Sequence, residues 1–207
     1  MAGILWIGVG SRIAMAIIAA KNEHATGLTS DDGFTIGQFT LENSLNLMVA
    51  GIGIGTLGGI LYVALRGLRV GPGWFQLLSI TLAPAVVGLS MLVHPDGVDF
   101  TVLQPPVLTI GLFAVIAWGY TLTVALLSEW FLAPGGLAER GPRWFLVLGV
   151  LPAIPLFPLV AAVAVGRALL PKLSPVAVPA AWVARAALFA LFLVSATNLA
   201  SDVQAIA

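Results

Sequence analysis

Residues 106–130 read PVLTIGLFAVIAWGYTLTVALLSEW, and no charged side chain occurs in them before Glu129. A helix needs about 20 mostly apolar residues to cross the hydrocarbon core of a bilayer, and this stretch is long enough. Five further stretches have the same apolar character. They lie at 2–20, 43–65, 75–93, 144–166 and 178–199. The sequence therefore predicts an all-α, polytopic bundle of six transmembrane helices.

The composition of the whole chain agrees with this prediction. Of its 207 residues, 59% are hydrophobic and 9% are charged, whereas a soluble domain carries about 25% charged residues. The surplus apolar surface must face lipid, so residues 1–207 are expected to form a single integral membrane domain. Nine basic residues balance nine acidic ones, which gives no reason to expect nucleic acid as a partner. Cysteine is absent, which excludes disulfides and thiolate metal sites.

The first apolar stretch is expected to be a retained membrane helix. Small residues such as Ala19 and Ala20 resemble those near the cleavage site of a signal peptide. A signal peptide begins with a basic region, however, and no basic residue precedes Leu5. The stretch is therefore counted as the first span.

The charges in the loops predict the orientation of the bundle. The 66–73 and 131–143 connections contain arginines, whereas the 21–42 and 94–105 loops are acidic. Because lysine and arginine prefer the cytoplasmic side, we expect the first two connections inside and both termini in the cytoplasm. The membrane would be the plasma (inner) membrane of a bacterium, since the composition suits a high-GC genome. Four tryptophans fall at the predicted inner ends, as an interfacial aromatic belt should: Trp6, Trp74, Trp130 and Trp144.

The 144–166 segment is the weak point of the six-span prediction. It contains Pro152, Pro155 and Pro158, and proline kinks or breaks a helix. With six crossings, Arg167 and Lys172 would also lie outside, against the charge rule. Five crossings plus a re-entrant segment is therefore the alternative.

An internal repeat of helical hairpins is a further hypothesis. The motif Asp-x-Phe-Thr at residues 32–35 resembles Asp-Phe-Thr at 99–101, and each precedes a β-branched residue, one other residue and a glutamine. Each lies just before a hydrophobic span, so 1–66 and 75–130 are candidate copies of one hairpin. The alternation after each phenylalanine predicts a short extended segment whose ring rests on the membrane surface.

Glycines four apart mark one face of the second span. Gly51, Gly55 and Gly59 share this face and would let another backbone approach closely. The run 53–58 also matches the letters of the dinucleotide fingerprint G-x-G-x-x-G, which works only at a strand-to-helix turn with an acid about 20 residues later. Neither condition holds here, so helix packing is the better interpretation. Whether the partner helix belongs to this chain, a second copy or another protein stays open.

Two arginines lie inside predicted spans, where a charge costs about 2.5–3.5 kcal/mol on insertion scales. Under the predicted topology, Arg12 and Arg185 both occupy the outer half of the bilayer. One interpretation is a cationic pair that binds an anion or lipid headgroup, or lines a transport pathway. The other is structural, with each arginine bound to an acid such as Glu42 or to helix-end carbonyls.

The outer loops also hold a cluster of polar side chains. The spacing His-x-Asp-x-x-Asp at 94–99 is compatible with a hard metal ion or proton transfer, but turn chemistry explains it as well, and we predict no metal. The cluster comprises Asp31, Asp32, Glu42, His94, Asp96 and Asp99.

These features favour a non-enzymatic subunit or scaffold of a larger membrane assembly. The loops are short, the spans contain few polar groups, and no catalytic triad, paired intramembrane carboxylates or phosphate loop is recognisable. The alternative is a small oligomeric transporter or channel for an ion or anionic solute, and a membrane enzyme that acts on lipid is a third possibility. The expected partners are the lipid bilayer and other membrane subunits or a second copy. No cofactor is predicted, but a bound lipid is.

Overall fold

The computed structural model describes residues 1–30, 33, 35–141, 151–169 and 174–206. These residues form an all-α bundle, which confirms the predicted fold class, and they contain no strand. Five helices are long and apolar enough to cross a membrane. The chain is therefore a multi-pass integral membrane protein.

The helices are numbered here in chain order over the described ranges. They are α1 (Ile4–Lys21, π-helical over Ile4–Gly10), α2 (Leu41–Leu65, continued by a 3-10 turn at Arg66–Leu68), α3 (Gly73–Leu92), α4 (Val98–Thr101), α5 (Pro106–Leu132), α6 (Leu137–Arg140), α7 (Phe157–Leu169, preceded by a 3-10 turn at Leu151–Leu156) and α8 (Ser174–Ile206). The five long apolar helices are α1, α2, α3, α5 and α8. The first four agree with the predicted spans to within three residues at each end.

Local signals explain where the spanning helices begin. The hydroxyl of Thr40 accepts a hydrogen bond from the backbone N–H of Asn43 at 3.2 Å, which caps the first turn of α2. Pro72 precedes α3, and Pro106 opens α5. Proline is tolerated at a helix start because its missing N–H would have no partner there.

The bundle has α1, α2 and α5 in mutual contact, with α3 against α5 and α8 against α3. Polar bonds join these helices within the membrane. The indole N–H of Trp6 donates to the hydroxyl of Thr123 at 2.8 Å, and the hydroxyl of Tyr120 donates to the carbonyl of Ile54 at 2.6 Å. These bonds tie both α1 and α2 to α5.

The bundle has two chemically different ends. One is called the arginine end and contains Arg66, Arg69 and Glu129, which bond to one another. The other is called the acidic end and contains the 22–40 and 94–105 loops, joined where Asn22 bonds to the backbone of Gln104. The charge pattern of the first four spans thus predicted which loops share an end.

The last helix runs in the opposite direction to the predicted one. Arg185 of α8 bonds to the carbonyl of Leu68 at the arginine end, and Ile206 packs near Phe100 at the acidic end. Ala2, by contrast, packs at the arginine end against Tyr62. The prediction of both termini on one side is therefore not met, since residues 2 and 206 lie at opposite ends of the bundle.

The direction of α8 differs from the prediction because a full crossing was expected at 144–166. Residues 142–150 lie outside the described residues, and α7 has 13 residues, which at 1.5 Å per residue is about 20 Å. That is shorter than the hydrocarbon core of about 30 Å. Since α5 ends and α8 begins at the arginine end, the chain between them makes no net crossing. Five crossings plus a shorter segment, the alternative from the proline pattern, fits the described residues.

Two finer predictions were wrong. Residues 98–101 form the helical turn α4 instead of an extended segment, and Phe100 is 3% exposed in a cluster with Leu89 and Val93 instead of lying on the membrane surface. Trp6 is half-buried between helices, so it does not join the interfacial belt. Asp32 and Phe34 of the proposed repeat and Trp144 of the belt lie outside the described residues. The repeat stays a prediction.

Candidate functional site

A small cavity lies at the acidic end, beneath the 26–39 loop. Its volume is about 50 Å³, which is enough to hold water, since one molecule needs about 10–15 Å³ of such space. Arg12 of α1 and Asp99 of α4 both line it, together with polar groups of the loop. The loop residues in the lining are Ser30, Thr35, Ile36, Gly37, Gln38 and Phe39.

The position of Arg12 follows from the loop that covers it. The guanidinium lies 5.8 Å from the ring centroid of Phe39, a distance at which a cation is attracted by an aromatic face. Asp99 is 7% exposed. The loop therefore shields this arginine and this carboxylate from lipid. Contacts within the protein then offset the free energy of placing a charge in the membrane.

A buried asparagine fastens the acidic end. Asn22 is 1% exposed, and its amide donates to the carbonyls of Ile18 at 2.9 Å and Gln104 at 3.0 Å. Its side-chain oxygen accepts the backbone N–H of Gln104 at 2.7 Å. These bonds link the end of α1 to the segment before α5, and so hold two walls of the cavity together.

The arginine end holds a compact ionic cluster. Glu129 of α5 accepts two hydrogen bonds from Arg66, at 2.9 Å from Nε and 2.8 Å from the terminal nitrogen, and one from the hydroxyl of Tyr62 at 2.6 Å. Arg69 adds an ion pair at 3.0 Å. The geometry with Arg66 is the bidentate fork that makes arginine–carboxylate pairs strong. The cluster joins α2 to α5 at the membrane boundary.

Arg185 lies beside this cluster. Its Nε donates to the carbonyl of Leu68 at 3.0 Å, and its guanidinium lies 4.7 Å from the ring centroid of Trp182. Arg12 and Arg185 are thus at opposite ends of the bundle, and the predicted cationic pair does not form. The pair was expected because six crossings would place Arg185 in the outer half of the bilayer. The structural interpretation fits Arg185, since its partner Leu68 is the last residue of the 3-10 turn Arg66–Leu68.

The predicted outer polar cluster is only partly brought together. Asp99 lines the cavity, whereas His94 and Asp96 are exposed in the preceding turn. Glu42 is exposed in the first turn of α2, where a negative charge suits the helix dipole, and it does not line the cavity. Asp31 and Asp32 lie outside the described residues. Among the described residues, no group of three histidine or acidic side chains is placed to hold a metal ion.

The glycine face of α2 packs mostly within the chain. A Cβ on Gly51 would lie 2.6 Å from the carbonyl oxygen of Gly3, and one on Gly55 would lie 3.2 Å from the Gly3 nitrogen. Gly59 has open space at this position. The close approach predicted for this face is therefore made by α1 at two of the three glycines.

The sequence prediction missed the ionic cluster, although a signal was present. Glu129 is an acid near a predicted inner boundary, and Arg66 and Arg69 were predicted on the same side. Opposite charges at one depth on neighbouring helices pair readily. Tyr62 gave no such signal, because a single tyrosine near the end of an apolar helix is equally compatible with an interfacial position.

Comparison with known proteins adds no further assignment. No family model, curated protein or solved structure matches this chain. The roles of these residues are therefore argued from their geometry.

Proposed function

We propose that the chain is a non-enzymatic integral membrane subunit or scaffold that binds other membrane proteins through α8. The observation that carries this proposal is the exposure of α8. In the apolar 18-residue stretch of α8, 6% of the residues are buried, against 11–17% in the corresponding stretches of the other four spanning helices. Among the described residues it packs mainly against α3, so most of its circumference is not covered by them and could receive a partner's helices.

The surface of α8 suits close helix packing. Trp182 and Phe189 are about 60% exposed, and aromatic residues are enriched in protein interfaces. Thr197 and Asn198 are also exposed toward the acidic end of the helix. A partner helix would satisfy the Asn198 amide, since polar side chains form hydrogen bonds between membrane helices.

The use of the intramembrane polar groups supports a structural role. Trp6 bonds to Thr123, and Thr121 donates to the carbonyl of Thr81 at 2.7 Å. Threonine hydroxyls elsewhere bond to their own helix. These hydroxyls bond to neighbouring helices or to the backbone of their own helix, and so serve packing. A scaffold needs such packing, whereas a transporter needs a hydrated route.

The proposal is tested by extraction from native membranes in a mild detergent, followed by native mass analysis. We expect the chain to be recovered in fixed proportion with other membrane proteins. A photo-crosslinking amino acid at Phe189 should give a discrete adduct with one of them. The same amino acid at Trp118, exposed on α5, is the matched control and should give none. Recovery of the chain alone, with no adduct from α8, would refute the proposal.

A second candidate function is transport of a small anion, and the cavity at the acidic end favours it. Arg12 and Asp99 line this cavity, and ionisable residues inside membrane proteins mark ion pathways. If the cavity is part of a pathway, Arg12→Met should abolish anion flux into proteoliposomes while the folded protein is recovered in normal yield. Loss of folded protein instead would assign Arg12 to structure.

A further inference from the structure

The arginine end carries more positive charge than its acid neutralises. Glu129 binds Arg66 through both of its oxygens, and Arg69 through one of them. One carboxylate compensates one of these two guanidiniums. A second positive charge therefore stays uncompensated in the cluster.

Arg185 adds another charge at the same place. Its Nε bonds to the carbonyl of Leu68, the residue directly before Arg69. Glu129 pairs with Arg66 and Arg69, and among the described residues no carboxylate lies within ion-pair distance of Arg185. The four charged side chains together leave two positive charges in excess.

The depth of the cluster is marked by tryptophans. Trp74 at the start of α3, Trp130 beside Glu129, and Trp182 one turn before Arg185 are each at least 60% exposed. Exposed tryptophans near the ends of membrane helices are enriched at the level of the lipid headgroups. The excess charge therefore lies where lipid phosphates are the most abundant anions.

Arg185 is already oriented for an anionic ligand. The Leu68 carbonyl uses one of its five N–H donors, and the Trp182 ring lies against the guanidinium. The remaining donors form the planar fork that matches two phosphate oxygens. A side chain held before binding loses less entropy when the ligand arrives.

We propose that Arg66, Arg69 and Arg185 form a binding site for the phosphate of an anionic phospholipid headgroup. Glu129 and Tyr62 hold the first two arginines in place, and Arg185 supplies the fork. The same chemistry would bind a free phosphate, but the position among interfacial tryptophans assigns the ligand to the membrane.

The test is native mass spectrometry of the full chain in detergent, titrated with phosphatidylglycerol or phosphatidylcholine of identical acyl chains. We expect phosphatidylglycerol to bind more tightly. Arg185→Gln should weaken its binding about tenfold, the effect of losing about one charge-assisted hydrogen bond, and bring it near the level of phosphatidylcholine. Arg185→Lys keeps the charge without the fork and should give an intermediate loss of phosphatidylglycerol affinity. If the glutamine variant does not fold, the lysine variant still tests the proposal.

Arg140→Gln is the matched control, because it removes one positive charge near the same end from a residue outside the cluster. We expect it to leave lipid binding unchanged. Equal binding of the two lipids by the unmodified chain, or an equal loss in the Arg140 variant, would overturn the proposal. Displacement of phosphatidylglycerol by millimolar inorganic phosphate would overturn the assignment to lipid and give the site to a soluble phosphate.

Discussion

Replacing Gly51 by alanine should push α1 away from α2. The added Cβ would lie 2.6 Å from the carbonyl oxygen of Gly3 and 2.9 Å from its carbonyl carbon, whereas non-bonded carbon atoms normally stay about 3.5–4.0 Å apart. Both opposing atoms belong to the backbone, so no side chain can rotate out of the way. The two helices must therefore separate locally by about 1 Å.

The cost follows from two opposing effects. Overpacking of a well-packed interface costs about 1–3 kcal/mol. Alanine regains up to about 1 kcal/mol because it is the better helix former. We expect a net loss of about 1–2 kcal/mol in the free energy of unfolding, or roughly a tenfold shift in the equilibrium.

Unfolding of the purified chain in mixed micelles, titrated with a denaturing detergent and followed by tryptophan fluorescence, would measure this loss. Gly53→Ala is the matched control, since a Cβ there has no neighbour within 4 Å. It should be neutral or stabilising. If Gly51→Ala were as stable as Gly53→Ala, the close contact between α1 and α2 would be refuted.

Three further perturbations test other parts of the structure. Asn22→Leu removes the acceptor of the Gln104 N–H from a side chain that is itself buried, and should lower the free energy of unfolding by about 1–3 kcal/mol; hydrogen exchange at that amide should become faster, and unchanged exchange would contradict the bond. Glu129→Gln should lower the free energy of unfolding by about 1 kcal/mol, a modest loss because the Arg66–Glu129 pair is partly exposed. The loss should shrink in high salt, and a salt-independent loss would contradict an electrostatic origin. A cysteine in a short tag fused before Met1 and, in a second variant, a cysteine at Gln204 should react with a membrane-impermeant maleimide from opposite sides of sealed vesicles, whereas labelling of both from one side would refute an odd number of crossings.

The spanning helices were predictable from the sequence because each is a long, nearly uncharged run of apolar residues. A stretch such as 106–130 has no other stable state than a helix in lipid. The bond between Asn22 and Gln104 was not predictable, since it joins residues far apart in the chain, and a lone asparagine after a helix is equally suited to a solvent-exposed cap.

The site predictions depended on topology, and one miscounted crossing changed them. Arg12 was placed correctly at the acidic end because the first span has clear boundaries. Arg185 was placed at the wrong end because the proline-rich 144–166 segment is apolar enough to count as a span. Hydropathy shows that a segment avoids water, but it does not show whether the segment crosses the membrane. Hydropathy alone therefore cannot predict the partner of an intramembrane charge such as Arg185.

An odd number of crossings limits how two copies of residues 1–207 can be joined in one polypeptide. Because residues 2 and 206 lie at opposite ends of the bundle, a short soluble linker would start the second copy on the far face of the membrane and invert it. A tandem fusion with both copies in the same orientation needs one extra hydrophobic helix in the linker. Duplication of this chain without such an insertion would yield an antiparallel pair, and the arginines of the two copies would then face different compartments.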